Sequence, residues 1–85
     1  MKPITLFMFE ACPYCKEALR FIDELKAENP AYAAIPFKMI DERLDPVTAG
    51  KFDYYYVPTL YAGDEKLHEG ASTKAQIKAV YDAAL

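Results

Sequence analysis

Ile4 to Phe9 is an almost unbroken apolar run, rich in β-branched and aromatic residues, and predicts a strand buried on both faces. Beyond Cys12 the period changes. Cys15, Ala18, Leu19, Ile22 and Leu25 recur at helical spacing, while Lys16, Glu17, Arg20, Asp23, Glu24 and Lys26 fall mostly off that face. Pro13 falls in the first helical turn, where a missing N–H costs nothing. The helix is expected to run to Ala27 or Glu28 and to stop at Asn29-Pro30. Ile35 to Ile40 predicts a second strand, and Pro36 puts it at a sheet edge because proline cannot donate to a ladder. Asp45-Pro46 opens a short helix with Asp45 as N-cap, which fades near Phe52 or Asp53 because Thr48 and Gly50 are poor helix formers. Thr59 to Ala62 and Lys66 to Glu69 read as a hairpin turning at Gly63-Asp64. Thr73-Lys74-Ala75-Gln76 fits a capping box and starts a last helix to about Ala84, with Ile77, Val80, Tyr81 and Ala84 facing inward.

Strand, helix, strand, short helix, hairpin, helix is the order of a layered α/β domain: a four-stranded mixed sheet flanked by three helices, its βαβ crossover right-handed. No repeat or linker divides the chain, so residues 1–85 form a single domain. Composition is that of a globular protein, 53% hydrophobic and 27% charged. The net charge of −3 argues against nucleic acid and anionic membranes as partners. The apolar run near the N-terminus is too short for a signal peptide, and no run approaches the roughly 20 apolar residues of a bilayer span. A soluble, cytoplasmic protein, monomeric, is the expectation.

Both of the chain's 2 cysteines lie in Cys12-Pro13-Tyr14-Cys15, where the first strand gives way to the helix. A thiol at a helix N-terminus meets unpaired N–H groups and the positive end of the macrodipole, which favour thiolate, the form that attacks disulfides. Cys15 lies one turn inside, on the buried face, where a thiol keeps its proton. The asymmetry makes Cys12 the nucleophile and Cys15 the resolving thiol, with Pro13 stiffening the turn between them. Other readings of the pair stay open. Half a zinc site would need two more ligands, and His68 is the one nitrogen donor. A cluster bridging two chains, or two inert buried cysteines, also fits the spacing. Val57-Pro58, at the entry to the third strand, is either an ordinary trans strand start or a cis bond that leaves the Val57 backbone free to pair with an extended substrate.

Taken together, Cys-Pro-Tyr-Cys after a first strand, Val57-Pro58 before a third, the Gly63-Asp64 hairpin and a glycine ahead of the final helix resemble a small glutaredoxin of the thioredoxin-fold superfamily. The resemblance implies a sheet in the order 2-1-3-4 and a cis bond before Pro58, beside the cysteine pair. It also implies reduction of protein disulfides or glutathione mixed disulfides, with no tightly bound cofactor or metal and with glutathione as donor and co-substrate. Tyr14, Tyr56, Val57, Pro58, Gly70 and Ser72 are the substrate-binding candidates, Gly70 and Ser72 at the last helix's N-terminus. Where the family commonly has lysine near the motif, this chain has Phe9-Glu10-Ala11. Where the family has Gly-Gly-x-Asp, it has Glu69-Gly70-Ala71-Ser72. Recharging by a thioredoxin reductase therefore stands beside glutathione as the electron supply, and a dimeric iron–sulfur module stands as a function of another class. Tyr54, Tyr55 and Tyr56 either line a groove or fill gaps. Tyr14 and His68 are expected to face solvent, His68 without a partner, and Asp41-Glu42-Arg43 to form a solvated turn from which Arg43 or Lys51 could reach a substrate carboxylate.

Overall fold

A computed structural model describes residues 1–85. In chain order the elements are β1 (Ile4–Met8), α1 (Pro13–Glu28), α2 (Pro30–Ala33), β2 (Phe37–Asp41), α3 (Pro46–Ala49), β3 (Thr59–Ala62), β4 (Glu65–Glu69) and α4 (Lys74–Ala84). They build one four-stranded sheet in the order β2-β1-β3-β4. β1 pairs with β2 in parallel and with β3 antiparallel, and β3 pairs with β4 antiparallel. The mixed sheet and its order are those the resemblance implies, and β2 lies at an edge as Pro36 requires.

Side-chain alternation along the central strands sorts the apolar residues onto two faces. Ile4, Leu6 and Met8 of β1 and Leu60 and Ala62 of β3 join the main core with Ala18, Ile22 and Leu25 of α1 and Ile77, Val80, Tyr81 and Ala84 of α4. Phe7 and Tyr61 point the other way and form a smaller core with Ile40 and Ala49, against which Phe52 and Tyr54 pack. Phe7 sits at its centre, with ring centroids 4.7 Å from Phe52, 4.8 Å from Tyr54 and 5.7 Å from Tyr61.

The sequence reading counts three flanking helices; the structure adds a fourth, the single turn α2. Asn29-Pro30 does end α1, with Asn29 held extended at φ −139° and ψ 109°. The same pair also begins α2: the Asn29 side chain accepts the Ala31 N–H at 3.0 Å and Pro30 takes the first helical position. A helix stop and a helix start thus share one dipeptide. α2 is fixed by Tyr32, buried with its ring 5.5 Å from Tyr81 and its hydroxyl donating to the Asp82 carboxylate. β2 begins two residues later than expected because Pro36 only lends its carbonyl to Ile4 N–H, at 2.8 Å. α3 ends at Ala49, short of Phe52, whose ring turns down onto Phe7 instead.

Candidate functional site

α1 opens on the cysteines. Cys12 is its N-cap, extended at φ −77° and ψ 113°, and its sulfur accepts the Cys15 N–H at 3.2 Å. One of the helix's orphan N–H groups is therefore aimed at the Cys12 sulfur. Pro13 occupies the first turn without losing a hydrogen bond, and Tyr14 projects outward, 58% exposed. Cys15 has no exposed surface, and neither thiol is bridged. Burial first, then the neighbouring Cys12 thiol, push the Cys15 thiol up to about 12, and the Glu42 carboxylate adds in the same direction.

Position at the mouth of a helix suggests a sulfur open to solvent, but Cys12 is only 4% exposed. The cause is the cap itself. A side chain that turns back to accept an N–H of its own helix lies against the helix mouth, here at the rim of the main core.

The second part of the candidate site is the entry to β3. The Val57–Pro58 peptide is cis. Pro58 is buried, Val57 half-buried, and neither the amide nor the carbonyl of Val57 has a hydrogen-bond partner within the chain. Gly70, at φ +91°, donates its N–H to the Pro58 carbonyl at 2.8 Å, which ties the turn after β4 to this entry. Ser72, between that turn and α4, keeps its Oγ buried with no partner. Thr73 and Gln76 form the capping box, Thr73 Oγ1 accepting the Gln76 N–H at 3.2 Å and Gln76 Oε1 accepting the Thr73 N–H at 2.9 Å.

The three tyrosines divide. Tyr54 is a packing residue, stacked on Phe7, and its hydroxyl donates to Glu42 Oε1 at 2.8 Å. Burial and that hydrogen bond push the hydroxyl above the usual tyrosine range. Tyr55 and Tyr56 hold their rings in solvent, at 85% and 71% exposure. Asp41-Glu42-Arg43 is not a plain solvated turn. Glu42 is half-buried under Tyr54, and the Arg43 guanidinium lies 3.8 Å from the centroid of the Phe9 ring. Beside the cysteine motif a cavity of about 460 Å³ is lined by Glu10, Ala11, Lys16, Asp41, Arg43 and Leu44. Lys51 is exposed and lines none of it. His68 is half-buried and does have partners: its Nε2 lies 3.0 Å from the Gly70 carbonyl and 3.1 Å from that of Ala71, which places the proton on Nε2. No three His, Cys, Asp or Glu side chains converge as a metal site within one chain would need.

Glu69 has a role that sequence reasoning misses. Its Oε2 accepts the N–H groups of Tyr55 and, at 2.9 Å, Tyr56, while Oε1 takes the Lys66 ammonium at 2.8 Å. Lys66 first, then the two N–H groups, hold the carboxyl down at about 2. A side-chain bond to a distant backbone leaves no periodicity in a sequence, so nothing local signals it. No helix is long and apolar enough to cross a membrane.

The family profile described as Glutaredoxin matches residues 4–67. No curated protein sequence matches the chain. Among solved structures, one described as the structure of a malarial protein superposes with a TM-score of 0.72 at 19% identity, covering 96% of this chain and 94% of that one. Thioredoxin O1 from Arabidopsis thaliana in its oxidised state gives 0.72 at 20% identity, over 98% of this chain and 77% of its own. The oxidised thioredoxin from Plasmodium falciparum gives 0.66 at 22%, over 94% and 77%. At such identities these structures share the α/β thioredoxin-like fold and nothing finer follows from them. The family match runs from β1 into β4, across the dithiol loop and the cis-proline alike, and by it the chain belongs to the glutaredoxin family.

Proposed function

We propose that this chain is a thiol–disulfide oxidoreductase in which Cys12 attacks and Cys15 resolves. The observation that carries the reading is the contrast between the two sulfurs. Cys12 lies at the mouth of α1 with an N–H aimed at it, whereas Cys15 is fully buried and held protonated. As the N-cap residue, Cys12 sits where the helix leaves backbone N–H groups without intrahelical partners. The Cys12 thiolate attacks one sulfur of a substrate disulfide, forming a mixed disulfide and releasing the other sulfur as a thiolate that takes up a proton. Cys15 then gives up its proton and attacks the Cys12 sulfur. The Cys12–Cys15 disulfide forms, and the substrate leaves with both thiols, reduced by two electrons. The raised Cys15 value keeps the second thiol from competing for the substrate in the first step. The free Val57 amide and carbonyl, next to Pro58, support pairing with an extended strand of substrate. Tyr14 and Tyr56, both exposed, and Gly70 and Ser72, next to the bond that holds the Pro58 carbonyl, are the substrate-contact residues of this reading.

Protein disulfides and glutathione mixed disulfides are the substrate classes of this reading. Two glutathione thiols would restore the dithiol by leaving as glutathione disulfide. The departure from the family's Gly-Gly-x-Asp segment at Glu69-Gly70-Ala71-Ser72 supports a second supply, a thioredoxin-reductase-type enzyme. The test is reduction of a peptide–glutathione mixed disulfide, with glutathione as donor and then with a thioredoxin reductase and its nicotinamide cofactor. Turnover in either arm that is lost in Cys12→Ser supports the assignment. Turnover surviving in Cys12→Ser but lost in Cys15→Ser reverses the roles.

A further inference from the structure

The segment leading into β3 uses its side chains and its backbone differently. The rings of Tyr55 and Tyr56 add nothing to either core. Their N–H groups, however, converge on a single oxygen, Oε2 of Glu69, at the end of β4. Two successive N–H groups aimed at one point form a small anion cradle, and the chain fills it with its own carboxylate. Lys66 neutralises the other oxygen, so Glu69 stays ionised across the ordinary pH range. The next residue in the chain is Val57, with its unpaired amide and carbonyl, and after it Pro58, whose carbonyl is held by Gly70 N–H. Residues 69 and 70 thus grip the backbone on both sides of Val57, by a carboxylate before it and an amide after it.

We propose that Glu69 is a positioning residue for polypeptide substrates: by tethering the Tyr55–Tyr56 backbone it presents the free edge of Val57 as a preformed half-strand onto which the extended segment flanking a substrate disulfide pairs. This rests on the dithiol reading above and adds to it a residue that never touches the sulfurs. Without Glu69 the two N–H groups lose their common partner and the Thr59 hydroxyl on the Tyr56 carbonyl remains; the freed part of the loop would have to be ordered at each encounter, at an entropic cost to binding. A small disulfide with no backbone of its own makes no use of Val57 and is indifferent to the tether. The cradle is already occupied, so an anionic small molecule gains nothing from it either.

The experiment is a single-turnover comparison. Reduced wild-type protein and the variants Glu69→Ala, Glu69→Gln and Glu69→Asp are mixed with an extended disulfide-bonded peptide or with hydroxyethyl disulfide, and the remaining thiols are counted by mass spectrometry. For Glu69→Ala, the half-saturating peptide concentration is expected to rise about tenfold, while the maximal rate and the hydroxyethyl disulfide rate stay within about twofold. Gln retains the reach and the acceptor oxygen, so it should stay near wild type. Asp keeps the charge but falls one methylene short, so it should behave like Ala. Should Glu69→Ala not fold, the Gln–Asp comparison decides alone. An unchanged half-saturation in Ala or Asp overturns the proposal, as does equal slowing of both substrates or Asp rescuing where Gln does not. A wild-type protein that reduces neither substrate overturns the dithiol reading itself and the proposal with it.

Discussion

Cys15 is a thiol with no exposed surface whose titration is pushed from 9.0 up to about 12, chiefly by burial. The folded chain therefore holds a proton that the unfolded chain releases near 9.0. The corresponding stability is fully present below that value and is lost as pH rises toward about 12. Urea midpoints should fall through this alkaline window, and Cys15→Ala should flatten the fall. Glu69 works with the opposite sign. Its carboxyl is lowered from 4.5 to about 2, so its contribution is present above 4.5 and lost as pH drops toward about 2. Glu69→Gln should leave a shallower acid limb in the same titration. Gly70 needs its lack of a side chain for conformation, not for space: at φ +91° an added Cβ meets nothing within 4 Å. Gly70→Ala should cost on the order of 1–2 kcal/mol of backbone strain. By calorimetry the melting temperature should drop by about 4–8 °C per kcal/mol for a domain of this size.

Among the elements, those with a strong period or an explicit cap were legible in the sequence. α1 shows its buried face in Cys15, Ala18, Ile22 and Leu25, and α4 shows both its capping box and its inward Ile77, Val80, Tyr81 and Ala84. β3 was bounded by Pro58 and Gly63, and its four residues are all buried. What escaped depends on contacts between distant parts of the chain. α2 needed Asn29-Pro30 to be read as an opening as well as a close, and only Tyr81 and Asp82, far along the chain, make its single turn worth forming. The inward turn of the Cys12 sulfur, the shelter of Glu42 under Tyr54 and the grip of Glu69 on Tyr55 and Tyr56 are likewise side-chain bonds across the fold. Thr73 offers a test at this scale. Thr73→Ala removes one half of the capping box and should cost about 1 kcal/mol, read from chemical denaturation, without touching disulfide reduction.

The whole molecule is a sheet covered unequally. One side carries α1 and α4 over a broad apolar cluster; the other carries the single turn α3 and the loop of Phe52 and Tyr54 over Phe7, Ile40, Ala49 and Tyr61. Phe7 has no exposed surface and meets three rings, so Phe7→Ala should cost about 3–5 kcal/mol. That is a large share of the roughly 5–15 kcal/mol that holds a domain together, and the variant should unfold at a clearly lower urea concentration than wild type by circular dichroism. The thin cover also implies two grades of breathing. Amide protons beneath α3 should exchange with deuterium sooner than those beneath α1, in a regional opening that does not require the rest to melt. Val57 packs against both clusters, so the residue that faces an incoming chain straddles the seam between the slow half and the quick half.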